Sequence, residues 1–148
     1  MRKYLQPLGW MLGLFTAQFS AAQDLMITEV APMPEAVTNN AVVEGTVGGV
    51  PYVYSFGGIG AGKTDADIHQ RCYRYNTQTD TWESLPDLPD TLGKIAASAN
   101  RIGDIIYIIG GYHVLPDSSE LSSDRVHRFD INTNTILSDG APVLIPID

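Results

Sequence analysis

Cysteine is almost missing from this chain: Cys72 is the only one in 148 residues. It has no intrachain partner, so a disulfide framework is excluded. Between Arg71 and Tyr73 on an expected strand, it reads as a small buried hydrophobe and not as a reactive thiol. Basic residues are also scarce, with 9 Lys and Arg against 17 Asp and Glu and a net charge of -8. That balance argues against nucleic acid and anionic membranes as partners. No Asn-x-Ser/Thr sequon occurs, so glycosylation is not implied. No G-x-S-x-G or Ser-His-Asp arrangement is present, and no stretch after Ala22 has helical periodicity.

Segment 1–22 stands apart. Arg2 and Lys3 precede an apolar stretch from Leu8 to Phe15, and Ser20-Ala21-Ala22 places small residues at a cleavage position. This pattern predicts a secretory signal peptide cut near Ala22-Gln23, and therefore a secreted or periplasmic protein. The apolar part is shorter than the ~20 residues that span a bilayer, so no membrane association is expected after cleavage. Loss of Arg2 and Lys3 would move the charge from -8 to -10. Segment 23–40 reads as an N-terminal linker.

What the chain does have is a repeat. Tyr52-Val53-Tyr54-Ser55-Phe56 runs into Gly57-Gly58, and further on Ile105-Ile106-Tyr107-Ile108-Ile109 runs into Gly110-Gly111. Tyr75 and Trp82 follow the first doublet, and Phe129 and Ile136 follow the second at nearly the same offset. A period of about 50 residues indicates an array of structural units. Expected strands in the first unit (41–91) are 41–47, 51–56, 68–75 and 81–85. The second unit (92–148, with the start of a further one) repeats them at 94–100, 103–109, 125–130 and 135–137. Polar loops are expected at 59–67 and 112–123. The clusters Asn76-Thr77-Gln78-Thr79-Asp80 and Asn132-Thr133-Asn134 read as turns whose side chains bond the backbone. Four short antiparallel strands per ~50 residues make the fold class all-β, of propeller-blade type.

These residues resemble the kelch-repeat family. Its blade pattern is an aliphatic strand with Tyr, a Gly-Gly, then a Tyr and a Trp. Tyr54, Gly57, Gly58, Tyr75 and Trp82 match it, as do Tyr107, Gly110, Gly111 and, by substitution, Phe129 and Ile136. The resemblance covers roughly segment 40–140. It implies a β-propeller of ~4–8 blades, of which about two are here, so the chain is expected to be part of a larger ring. Self-assembly is expected only if the chain is complete. The glycines would let the backbone turn where a side chain would strike the neighbouring blade. The implied function is a binding module for a protein or carbohydrate ligand. A signal peptide followed at once by such blades is also similar to the N-acetylneuraminate epimerase group, which makes a sugar epimerase the alternative.

One motif points elsewhere. Gly57-Gly58-Ile59-Gly60-Ala61-Gly62-Lys63-Thr64 satisfies the phosphate-loop pattern G-x-x-x-x-G-K-[ST]. A phosphate loop must run into a helix, and segment 65–73 carries no helical stripe. The strand 105–109 ends in Gly-Gly and lacks the Asp that would complete a Mg²⁺ site. Nucleotide binding is therefore the most distant of the three functions. His69, His113 and His127 lack metal-ligand spacing, so neither metal nor cofactor is expected. Asp65, Asp67, His113 and Asp117 sit on the two long loops as candidate ligand residues. Lys94 joins them because kelch blades often turn a basic residue toward the central channel there. No catalytic residue is assigned.

Overall fold

A computed structural model describes residues 26–144. The expected leader, 1–22, lies outside the described residues. The fold is all-β. Strands β1 (Ala41–Val47), β2 (Val50–Phe56), β3 (Cys72–Asn76) and β4 (Thr81–Leu85) pair in sequence order as one antiparallel sheet. Strands β5 (Ser98–Ile102), β6 (Ile105–Ile109), β9 (Val126–Asp130) and β10 (Thr135–Leu137) form the second. Between β6 and β9 a small hairpin stands out, β7 (Tyr112–Val114) with β8 (Glu120–Ser122). The described sheets do not close into a barrel or a ring.

Each unit obeys the local chemistry of its turns. Gly48 and Gly49 join β1 to β2 with φ of 57° and 83°, which suits the mirror-image turn that matches strand twist. At the β3–β4 corner the Asn76 carboxamide oxygen accepts the amides of Gln78 and Thr79 at 2.9 and 3.2 Å. At the β9–β10 corner Asp130 accepts those of Asn132 and Thr133 at 2.8 and 3.2 Å. These two corners lie one repeat apart and carry the same bonds, the second from Asp130 and not from the Asn132-Thr133-Asn134 cluster expected to make them. Past each glycine doublet the chain bridges back to its own lead-in, Ile59 with Thr38 and Tyr112 with Ile95.

The sheets pack face to face through aromatic rings. Phe129 of β9 sits 5.8 Å from the Tyr54 ring and 5.5 Å from the Phe56 ring, both on β2. Ile106, Ile108 and Ile131 complete a core in which these six side chains are at most 1% exposed. Polar contacts border it. Gly58 N–H donates to the Lys94 carbonyl and Ala96 N–H to the Asn39 carbonyl, both at 3.0 Å. Arg101 reaches Glu44 at 2.9 Å, and Arg74 reaches Asn134 at 2.9 Å.

Several expectations need correction. The third strand begins at Cys72 and not at Ile68, and β5 runs 98–102 and not 94–100. The expected loop 112–123 holds the β7–β8 hairpin, and loop 59–67 ends in a 3-10 turn at Asp65–Asp67. Gly58 and Gly111 avoid their own unit's lead-in more than the neighbouring sheet. A Cβ on Gly58 would lie 2.7 Å from Val37, and one on Gly111 would lie 2.6 Å from the Ile95 carbonyl oxygen. Of the two glycines in the first doublet, Gly57 is the one whose Cβ would meet the next unit, 3.0 Å from the Lys94 carbonyl oxygen. The segment placed as a linker is also tied down from Ala31 onward. Trp82 donates to the Ala31 carbonyl at 3.0 Å, and the Ala31 amide donates to Asp80.

Two substitutions separate these roles. Phe129→Ala removes the ring that joins the sheets and is expected to lower unfolding free energy by about 3–5 kcal/mol in urea titration. Gly48→Ala meets only its positive φ, because nothing lies within 4 Å, and is expected to cost about 1 kcal/mol. Equal losses in the two variants would overturn the interlock.

Candidate functional site

The loops that leave β2 and β6 emerge at the same end of the two sheets. There they meet the connection 86–97 between the units. The His113 imidazole Nδ1 lies 2.7 Å from the Gly93 carbonyl oxygen, which ties the second unit's hairpin to that connection. A depression of about 310 Å³ opens between the units, bordered by Asp65, Ile68, Gln70, Thr91, Leu92 and Leu115. A second, of about 480 Å³, lies over the first unit's loop and is bordered by Glu35, Gly62, Asp67, His69 and Arg71.

The candidate ligand residues divide between these places. Asp65 borders the inter-unit depression. Asp67 is turned inward on its own loop, where its carboxylate accepts the Thr64 amide at 3.0 Å and the Thr64 hydroxyl. Those bonds hold the Asp67 carboxyl below the usual range. Asp117 accepts the amide and hydroxyl of Ser119 at the hairpin tip. Lys94 does not face an open channel: its side chain is 1% exposed. Of the residues expected from the repeat, Tyr54 and Phe129 lie in the core. Tyr75 donates to Asp80 and packs 5.3 Å from the Trp82 ring, while Tyr107 stands half-exposed on the far face of the second sheet.

Segment 57–64 has the letters of a phosphate loop without its geometry. The amides of Gly57, Gly58, Ile59 and Gly60 donate to the carbonyls of Arg71, Lys94, Thr38 and Asp67. The Asp67 carboxylate occupies the concavity, so close that a Cβ on Gly62 would meet it. A loop whose amides are bonded and whose hollow holds a carboxylate repels a phosphate. The following helical turn, Asp65–Asp67, is too short to supply a helix terminus.

The strongest electrostatic feature was not visible in the sequence. Lys94 Nζ lies 2.8 Å from Asp90 Oδ2, 3.1 Å from Ser123 Oγ and 3.1 Å from His127 Nε2. His127 reaches Asp90 with the same nitrogen and Asp139 with Nδ1, both at 2.9 Å. Arg125 closes the cluster on Asp139 at 2.7 Å. Burial pushes the Asp90 carboxyl up, but hydrogen bonds from His127 and Lys94, with the Lys94 charge, hold it at about 2. The first unit has its own clasp. Glu35 accepts two Arg71 nitrogens and the Tyr73 hydroxyl at 2.6 Å. Its carboxyl is drawn down to about 2 by Arg71 and Tyr73 against the effect of burial. Arg71 and Arg125, like Tyr73 and His127, stand one repeat apart. That spacing was the signal available, but the acids that join them are remote in sequence.

His69 is buried, and neither ring nitrogen has a hydrogen bond. Burial, then the Arg71 charge, lowers its pKa. Cys72 is also buried, and burial pushes its thiol up to about 12, which leaves no thiolate for chemistry. Among the described residues no three His, Cys, Asp or Glu side chains converge as a metal site, and no helix is long and apolar enough to cross a membrane. Asp90, Lys94, His127 and Asp139 are held together in the buried cluster, while the inter-unit hollow is bordered by Asp65, Gln70, Thr91 and Leu92. No family model matches the chain, and no curated protein matches it.

The buried clasp sets two measurable outcomes. Lys94→Met removes the buried cation from Asp90, which keeps His127 at 2.9 Å, and is expected to cost about 3–5 kcal/mol, read by chemical unfolding. A loss below about 1 kcal/mol would show that the pair holds little together. Asp90 and Glu35 titrate lower folded than in the unfolded chain, where carboxyls sit near about 4. Their contribution is therefore complete above that value and is lost as pH falls toward about 2. The urea midpoint should drop across that window and drop less in Asp90→Asn. A midpoint equally steep in both proteins would remove Asp90 from the account.

Proposed function

We propose that this chain is an exported pair of kelch-type propeller units that acts as a binding module for a carbohydrate. The observation that carries the reading is the convergence of loops from both units, with their connection, on one inter-unit depression. Loops held by rigid sheets are suited to recognition because the scaffold bears the entropy of ordering them. The depression offers the Asp65 carboxylate, the Thr91 hydroxyl and the Gln70 carboxamide, whose Nε2 is anchored on the Asp90 carbonyl at 3.2 Å. Leu92, 42% exposed, lies beside them as an apolar surface. Carboxylate, amide and hydroxyl groups match sugar hydroxyls, and an apolar patch matches the C–H face of a sugar ring. The kelch reading is supported by the Gly-Gly after the second strand of each unit and by corner bonds that recur from one unit to the next.

Calorimetric titration against neutral and acidic oligosaccharides tests the binding. Asp65→Ala with Gln70→Ala is expected to weaken the best ligand about tenfold or more, a loss of about 1.4 kcal/mol, with unchanged melting temperature. Binding that is indifferent to both substitutions would place the site elsewhere. Absence of binding to any of the sugars would end the carbohydrate reading. Export has its own check: the mature protein should begin at Gln23 by N-terminal sequencing, and a retained Met1 after secretion would refute the leader.

A further inference from the structure

Contacts that join the first unit to the second have unfilled counterparts on the far side of the second. Gly58 N–H donates to Lys94 across the junction. Gly111 holds the same place one unit later, and among the described residues its amide has no backbone partner. Asn39 and Ala96 open their units alike, with φ of 55° and 56°. The Ala96 amide donates to the Asn39 carbonyl, while the Ala96 carbonyl has no backbone donor among the described residues. Tyr54 and Phe56 are buried beneath the second sheet, whereas their successors Tyr107 and Ile109 are half-exposed. Ala96, Ile109 and Gly111 border an open groove of about 670 Å³. The groove repeats a seat that is already filled once within the chain.

Charge narrows the occupant. Across the filled junction Arg74 bonds Asn134, and Arg101 bonds Glu44. In the second unit Arg128 takes the place of Arg74, and in the first unit Asp80 takes the place of Asn134. A first unit seated in the groove would bring its Asp80 to Arg128 and its Glu44 beside Arg101. Both meetings are between opposite charges. Its Val37 carbonyl would face the Gly111 amide, as the Lys94 carbonyl faces that of Gly58. Its outward face also carries the exposed side chain of Val42, whose β1 neighbours Ala41 and Val43 turn to the core.

We infer that this groove receives the first unit of a second copy of the chain, docked head to tail. The two surfaces differ, so the contact is heterologous and propagates until a ring closes or a filament grows. This assembly rests on the internal repeat and is independent of sugar binding, which is measured separately.

Sedimentation velocity of the chain over about a hundredfold concentration range reads the assembly. The expected result is a mass that rises with concentration beyond two chains. Ile109→Asp, in the groove, and Val42→Asp, on the opposite face, should each give monomers with unchanged melting temperature. Mixed together, they should form a one-to-one dimer and nothing larger, because each keeps one intact surface. Tyr107→Arg provides a second groove variant should Ile109→Asp prove unstable. A monomer across the whole range, assembly that survives the groove variants, or a mixture that stays monomeric would overturn the proposal.

Discussion

The ring of Phe129 between Tyr54 and Phe56 is the contact on which the rest of the molecule depends. A four-stranded meander with one apolar face is marginal alone, because half of its side chains have nowhere dry to go. Each sheet supplies what the other lacks. Tyr54 and Phe56 on β2 and Phe129 on β9 each bury on the order of 150–250 Å² of ring surface. Ile106 and Ile108 on β6 extend the same layer. The backbone and side-chain polar contacts between the units border this seam.

The buried charges act one step further out. Asp90, Lys94, His127 and Asp139 do not fill the seam; they hold the lead-in of the second unit against β9. That lead-in carries the Lys94 carbonyl and the Ala96 amide, which make the backbone bonds to the first unit. Charge thus fixes backbone, and backbone fixes the junction. Buried ion pairs add little net stability over an apolar replacement, yet removing one partner is severe. The cluster therefore serves the position of the lead-in more than the depth of the folding well.

Much of this architecture was legible in the sequence because it follows from local rules. Gly-Gly after an aliphatic run, and Asn or Asp two residues before a turn amide, are short-range chemistry, and both recur at one period. Strand β4 has the limits that were expected of it, 81–85. The β7–β8 hairpin was hidden because its strands are too short to show alternation. Pro116-Asp117-Ser118-Ser119 reads as loop, and the turn it makes joins strands with few apolar residues. The clasp was hidden for another reason. His127 meets Asp90 from 37 residues away and Asp139 from 12, and no spacing rule links those positions. Segment 57–64 misled in the opposite sense. Its residues satisfy a phosphate pattern, while its amides are bound to Arg71, Lys94, Thr38 and Asp67, which the pattern does not contain.

Two units with the same four-strand order raise the question of what tells them apart. Turns, bridges and doublets are common to both, so none of them can specify which unit sits beside which. The distinction lies in side chains that differ at matching places. Arg71 and Tyr73 bind Glu35 in the first unit, while Arg125, His127 and Lys94 share Asp90 and Asp139 in the second. Exchange of the two lead-ins would set Lys94 near Arg71 with no Asp139 at hand, and would leave Glu35 and Asp139 beside His127 without the Lys94 charge. Such a mispairing buries unmatched charge, which costs more than the matched pair contributes. A repeat protein built on generic backbone bonds needs this asymmetry, and here unit-specific ion pairs beside a shared aromatic seam supply it.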